Sequence, residues 1–85
     1  MAIEMVYFAW VREAIGRDGE TVDPPDDVTT LGALVDWLAQ RGDGYREALG
    51  DPDRLRGAVD QVFAPFDASI EGVKEVALFP PVTGG

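Results

Sequence analysis

Few residues in this chain can do chemistry, and the last seven, Phe79-Pro80-Pro81-Val82-Thr83-Gly84-Gly85, are the most distinctive. Proline has no N–H to donate, so Pro80 and Pro81 stop any strand that precedes them. They also favour an extended path, which predicts a stiff arm over 80–85 leaving a body over 1–79. Glycine has no Cβ, so Gly84 and Gly85 form a thread slender enough to enter a narrow channel in another protein. The reactive group of that thread is the carboxylate of Gly85. Glycine is common at chain ends for no functional reason. Here the order of parts, an apolar strand, then Pro-Pro, then Gly-Gly, is more than a fraying end requires.

The remaining chemistry is narrow. The chain has no histidine and no cysteine. That excludes an imidazole base, a thiol nucleophile and a His/Cys zinc site. A pair among the sixteen Asp and Glu residues could move protons, but it would need a lined pocket. A domain of 85 residues buries only about 60–65% of its unfolded surface, enough for one modest core. The sequence therefore predicts a protein that is not catalytic alone and relies on the machinery of another chain. No bound cofactor and no metal are expected.

Composition sets the class. A hydrophobic fraction of 46% and a charged fraction of 27% are those of an ordinary globular domain. The longest apolar run, around Met5–Val11, is too short to span a bilayer. The N-terminal residues lack a basic and then apolar leader, and no cysteine supports a disulfide framework, so the cytoplasm is the expected location. The net charge of −9 argues against nucleic acid and anionic membrane as partners. It suits a basic protein partner and also favours solubility.

The elements that must position the arm can be read in order. Ile3 to Val11 reads as a first strand, with Ile3, Met5, Tyr7, Ala9 and Val11 facing the core and Glu4, Val6, Phe8 and Trp10 outward. Residues 12–16 end it, and Asp18-Gly19 marks a turn into a second strand, Glu20–Asp23. Pro24-Pro25-Asp26-Asp27 is a loop. Thr29 or Thr30 can cap a helix in which Leu31, Leu34, Val35 and Leu38 form one buried stripe. Arg41 suits its last turn and Gly42 its end. Residues 44–50 can add a further turn or two, anchored by Tyr45 and Leu49, and Trp37 flanks the core. Leu55–Val59 reads as a third strand, Asp60-Gln61 as a turn, and Val62-Phe63 as the return, which Pro65 confines to a sheet edge. Phe66 and Ile70 plug the core, Glu71-Gly72 turns the chain, and Val76–Phe79 is the last strand. The first and last strands are apolar on both faces and belong in the middle of the sheet. The expected fold is α+β: a mixed four- to five-stranded sheet with one main helix packed across it, the β-grasp (ubiquitin-like) plan.

At this point the sequence resembles a known family. The segments Val6-Tyr7-Phe8-Ala9 with Val11-Arg12-Glu13, then Ala58-Val59-Asp60-Gln61, and above all Glu75 through Gly85 are similar to the small subunits of molybdopterin synthase, which are β-grasp sulfur carriers. The resemblance implies that an ubiquitin-activating-like adenylyltransferase consumes ATP to adenylate Gly85. A sulfur donor then converts it to a thiocarboxylate, with Gly84 as the slender neighbour. The tail would enter a large subunit and give its sulfur to cyclic pyranopterin monophosphate, forming molybdopterin, in a heterotetramer of two small and two large subunits. The resemblance also assigns Phe8, Arg12, Phe63 and Phe79 to partner binding, along with the tail residues Pro80, Pro81, Val82 and Thr83. The chemistry is coherent. A carboxylate is a poor acyl donor, adenylation supplies a leaving group, and a thiocarboxylate is nucleophilic at neutral pH without any cysteine.

Two departures stand out. The family usually has Val-Asn where this chain has Val59-Asp60, and it often has an acidic Asp-Gly-Asp-Glu turn where this chain has Glu71-Gly72-Val73-Lys74-Glu75. Other readings also fit a Gly-Gly end: a carrier for thiamine, cysteine or tRNA thiolation, a ubiquitin-like modifier joined to lysines through Gly85, or a binding module with an idle tail. The Phe-Pro-Pro-Val approach to the tail favours molybdopterin.

Overall fold

The structure is a computed structural model and describes residues 2–81. Its elements are β1 (Ile3–Tyr7), α1 (Ala9–Ile15), β2 (Gly19–Val22), α2 (Leu31–Ala39), α3 (Asp43–Leu49), a 3-10 turn (Pro52–Arg54), β3 (Arg56–Val59), β4 (Val62–Ala64) and β5 (Glu75–Phe79). The five strands form one sheet in the order β2-β1-β5-β3-β4. β1 and β5 are parallel neighbours in its centre, and the other pairs are antiparallel. This is the β-grasp arrangement, with the first and last strands adjacent as their two-sided apolar character requires.

Strand alternation decides what each face carries. Ile3, Met5, Tyr7, Val76 and Leu78 point to the helical side and are all buried. Against them lies the α2 stripe of Leu31, Leu34, Val35 and Leu38, each fully buried. Thr30 is the N-cap, and its hydroxyl accepts from the Ala33 amide at 3.2 Å. The crossing segment before β5 satisfies two more of the helix's free donors: Leu31 N–H donates to Ala68 and Gly32 N–H to Phe66. Ile70 is fully buried and Phe66 packs against the core, as expected.

One expectation fails. The chain does not continue as a strand from Phe8 to Val11. Phe8 is the extended N-cap of α1, Ala9 turns with φ of 53°, and residues 9–15 are helical. The physical reason lies in spacing: Val11, Ala14 and Ile15 fit a helical stripe as well as alternation fits a strand, and burial of Val11 against the core selects the helix. Gly16 closes it in the left-handed conformation, its amide donating to Arg12. β1 and β2 are therefore antiparallel partners joined by a helix rather than by a tight turn. The main helix α2 is joined by two shorter ones, with α3 packed against both α1 and α2. α3 meets α1 closely at Gly44, where a Cβ would collide with the Ala14 carbonyl. A smaller shift concerns α2, whose C-cap is Gln40, so that Gly42 serves as the N-cap of α3.

The hairpin from β3 to β4 turns at Asp60-Gln61, both with positive φ (47° and 72°), the pattern of a type I′ turn. The second departure from the family is also resolved. Val73 N–H donates to Ile70 and Gly72 sits at φ of 73°, which is the left-handed third position of a type II turn.

Candidate functional site

The face of the sheet opposite the helices carries no second layer. Val6, Ala77, Ala58 and Phe63 line up across β1, β5, β3 and β4 on it, and Phe79 faces Arg56 in the next row. Ala58 and Ala77 are small, so the rings beside them can lean inward over the sheet. The Phe63 and Phe79 rings lie 5.5 Å apart at 38°, bridging across β3. Phe63 is nonetheless 76% exposed and Phe8 48%. Large aromatic side chains left in water beside buried alanines mark a contact surface rather than a core.

The predicted partner-binding residues fall as follows. Phe8 is extended, donates its amide to Leu78 at 3.1 Å, and by alternation with buried Tyr7 points to the outer face beside the end of β5. Phe63 and Phe79 are in direct ring contact. Arg12 lies on α1 rather than in a segment that ends the first strand. It is one turn beyond Phe8, whose carbonyl accepts the Arg12 amide, and its guanidinium is 3.9 Å from Asp18 at the surface. Pro80 and Pro81 follow β5 and are half-buried. Val82, Thr83, Gly84 and Gly85 lie outside the described residues. A groove of about 450 Å³ sits where the chain leaves β5, lined by Arg56, Phe63, Ala64, Pro65, Phe79 and Pro81 among others. Pro65, predicted to hold β4 at the edge, and Arg56, which the sequence reading did not single out, are thus part of the same site.

A second polar constellation was also not anticipated. Glu20 points from β2 toward the helical side, opposite Met5. One of its oxygens accepts from the Tyr7 hydroxyl at 2.8 Å and the Tyr45 hydroxyl at 2.7 Å. The other is 3.3 Å from Arg17 and 3.4 Å from Arg41. Arg41 in turn lies against the Trp37 and Tyr45 rings. Burial pushes the Glu20 pKa up, but the two hydroxyl donors and two guanidinium groups outweigh it and hold the carboxyl below its usual range. Burial first, and then donation to Glu20, pushes both tyrosines above theirs. The cluster ties β1, β2, α3 and the residues after α2 together. With every oxygen engaged, it acts as a clasp and not as a free acid or base. Its one sequence signal was a carboxylate at Glu20 sharing strand parity with Val22.

No helix among the described residues is long and apolar enough to cross a membrane. The candidate site is an aromatic face beside the end of β5.

The comparisons agree with this geometry. The ThiS family profile matches residues 5–85. A protein of Escherichia coli (strain K12), the molybdopterin synthase sulfur carrier subunit, is 41% identical over 83 residues, covering 98% of this chain and 99% of its own. Its namesake from Haemophilus influenzae is 37% identical with the same coverage. Among solved structures, that of SAMP1 from Haloferax volcanii superposes over the whole of both chains with a TM-score of 0.72 and 28% identity. On the family match and these full-length likenesses, the chain belongs to the ThiS family.

Proposed function

We propose that this protein is the sulfur-carrier small subunit of a molybdopterin synthase. The observation that carries the reading is the placement of β5: the central strand runs out into Pro80-Pro81 directly beside the ring pair of half-buried Phe79 and exposed Phe63. A partner that docks on the rings is thereby positioned to receive whatever follows. The names of the relatives support the pathway.

In this reading Gly85 is the working residue. An adenylyltransferase joins its carboxylate to AMP with release of pyrophosphate. Sulfide equivalents from a donor displace AMP and leave a thiocarboxylate. Within the large subunit the sulfur passes to the pterin precursor, and water returns Gly85 to a carboxylate. Two dithiolene sulfurs need two carriers per product, which suits two small and two large subunits. Gly84 keeps the approach slender, and Pro80, Pro81, Val82 and Thr83 span the entry. Phe8, Arg12, Phe63 and Phe79 dock on the large subunit and, in turn, on the activating enzyme. Proton transfer and charge stabilisation come from basic groups of the large subunit, in keeping with a carrier of net charge −9. The protein works in the cytoplasm without nucleic acid, membrane or bound cofactor.

The test is the mass of the intact protein after incubation with ATP, a sulfide source and the activating enzyme, beside a variant lacking Gly85. Exchange of one oxygen for sulfur on the C-terminal peptide, trapped with a thiol-alkylating reagent, is the expected result. Localisation matters because oxidation of Met1 or Met5 gives the same nominal change. Discharge by the large subunit and pterin precursor assigns the pathway. A thiocarboxylate that this system does not discharge moves the carrier to another thiolation route, and an isopeptide bond from Gly85 to a lysine makes it a modifier. An unchanged tail under every activating partner overturns the carrier reading and leaves a binding module.

A further inference from the structure

We propose that Arg56 reads a carboxylate on the protein that docks over Phe63 and Phe79, and so fixes the orientation of that partner on the sheet. The proposal rests on the carrier reading and adds to it the chemistry of the contact.

The first ground is position. Arg56 sits opposite Phe79 in the β3–β5 register, on the outer face, and its side chain forms one wall of the groove whose other walls are Phe63, Pro65 and Pro81. The second is availability. A guanidinium carries five N–H donors, and the recorded hydrogen bond of this one goes from Nη1 to the neighbouring Leu55 carbonyl at 2.7 Å. Arg17 and Arg41 serve Glu20, Arg12 is near Asp18, and Arg54 lies over the Trp10 ring at 4.8 Å. Among the described residues Arg56, like Arg46 and Arg54, has no ion pair, and of these three it is the one that lines the groove beside Phe79.

The third ground is the polarity of the face. Glu4 and Glu75 are register partners at the far end of the same outer surface, where β1 and β5 begin. Arg56 and Phe79 lie at the end where the chain leaves. The face is thus negative at one end and positive at the other, with Val6, Ala77, Ala58 and Phe63 between. A basic partner is drawn by the overall charge, but charge alone does not set its register. A partner that is basic opposite Glu4 and Glu75 and presents one Asp or Glu beside apolar side chains opposite Arg56 fits in a single orientation, the one that leaves its channel facing Pro81. The planar fork of Arg56 can hold that carboxylate through two parallel hydrogen bonds. The aromatic and proline walls exclude water once the partner is seated, which strengthens the pair.

The experiment titrates the wild-type chain and the variants Arg56→Gln, Arg56→Glu, Arg56→Lys and Phe79→Ala against the purified large subunit by calorimetry. Thermal unfolding is followed as a control. Arg56 is exposed, so its variants should unfold at the wild-type temperature. Arg56→Glu should weaken binding by about tenfold or more, Arg56→Gln by less, and Arg56→Lys least. Substituting the facing Asp or Glu of the large subunit by Lys should restore binding of Arg56→Glu. Wild-type affinity in Arg56→Glu alongside weak binding of Phe79→Ala overturns the role of Arg56 and leaves the docking face intact. Weakened binding of Arg56→Glu that no single acidic position of the large subunit rescues also overturns it, since Arg56 would then act through net charge. Self-association of the wild-type chain through this face, seen by light scattering and abolished by Arg56→Glu, overturns it in favour of a second copy. Absence of any wild-type binding, together with an unmodified tail in the mass experiment, removes the carrier reading itself.

Discussion

The rings of Phe63 and Phe79 meet at 5.5 Å across a strand to which neither belongs. On this face β3 presents the small Ala58 opposite Phe63 and Arg56 opposite Phe79, so the two rings approach each other diagonally over the strand. The pair is more exposed than a core pair, with Phe63 mostly in water. Phe63→Ala removes a side chain that is mostly in water, so stability should change by less than about 1 kcal/mol. Affinity for the large subunit should fall by about 2 kcal/mol, as for a central aromatic anchor. Parallel thermal melts and binding titrations test this. An equal loss in both would make Phe63 a folding residue.

Tyr7 and Tyr45 donate to one oxygen of Glu20, from residues 13 and 25 positions away. The Glu20 pKa is lowered by folding, so its contribution is present above the unfolded value near 4.5 and is lost as the pH falls through the lower folded value. The tyrosines are raised, so theirs is present below the unfolded value of 10.0 and is lost as the pH rises beyond it. Glu20→Gln should cost about 1–3 kcal/mol at pH 7 and flatten the acid limb. The Tyr7→Phe, Tyr45→Phe double variant should flatten the alkaline limb. Denaturant titrations from pH 3 to 11 would show either limb. A wild-type pH profile in Glu20→Gln would mean that other carboxylates govern acid stability.

Asp60 holds a turn that is not its own. Its Oδ1 accepts from the amides of Lys74 at 3.0 Å and Glu75 at 2.9 Å, and its own amide donates to the Glu75 carbonyl. The hairpin between β3 and β4 thereby sets where β5 begins. Asp60→Ala loses both acceptor contacts and suits the left-handed backbone poorly, at a cost of about 1–2 kcal/mol. Asp60→Asn retains a side-chain oxygen and tolerates that conformation, so its stability should lie within about 0.5 kcal/mol of wild type. Chemical denaturation of the two variants decides between these expectations. An Asn variant as unstable as the Ala variant would show that the charge itself is required.

Gly44 sets the spacing of α1 and α3. A methyl group there would meet the Ala14 carbonyl, which is backbone and cannot rotate away. Gly44→Ala should destabilise by about 1–3 kcal/mol through separation of the two helices, despite its better helix propensity. A rise in melting temperature would mean that the helices part without loss.

Much was legible locally. Leu31, Leu34, Val35 and Leu38 declare their helix by spacing, and the Thr29-Thr30 pair marks its start, of which the structure selects Thr30. Asp60-Gln61 and Pro65 mark the β3–β4 hairpin and its edge position, and two strands apolar on both faces identify the sheet centre. These features depend on near neighbours and on backbone preference, which a sequence displays directly. The Gly-Gly end and its proline approach were equally plain. Residues 9–15 were not, because their apolar positions satisfy two periods at once.

By itself, then, the sequence determined the fold class, the α2 stripe and the central strands. Only the tertiary structure decided that Phe8 ends β1 and that Arg12 rides on a helix. It alone gathered Glu20, Tyr7, Tyr45 and Arg41, and it alone set Arg56 beside Phe79 and Phe63. The reason is sequence separation. A helix of seven residues is marginal alone and forms when Val11 finds the core. A carboxylate cluster and an aromatic groove likewise exist only once strands distant in the chain lie side by side.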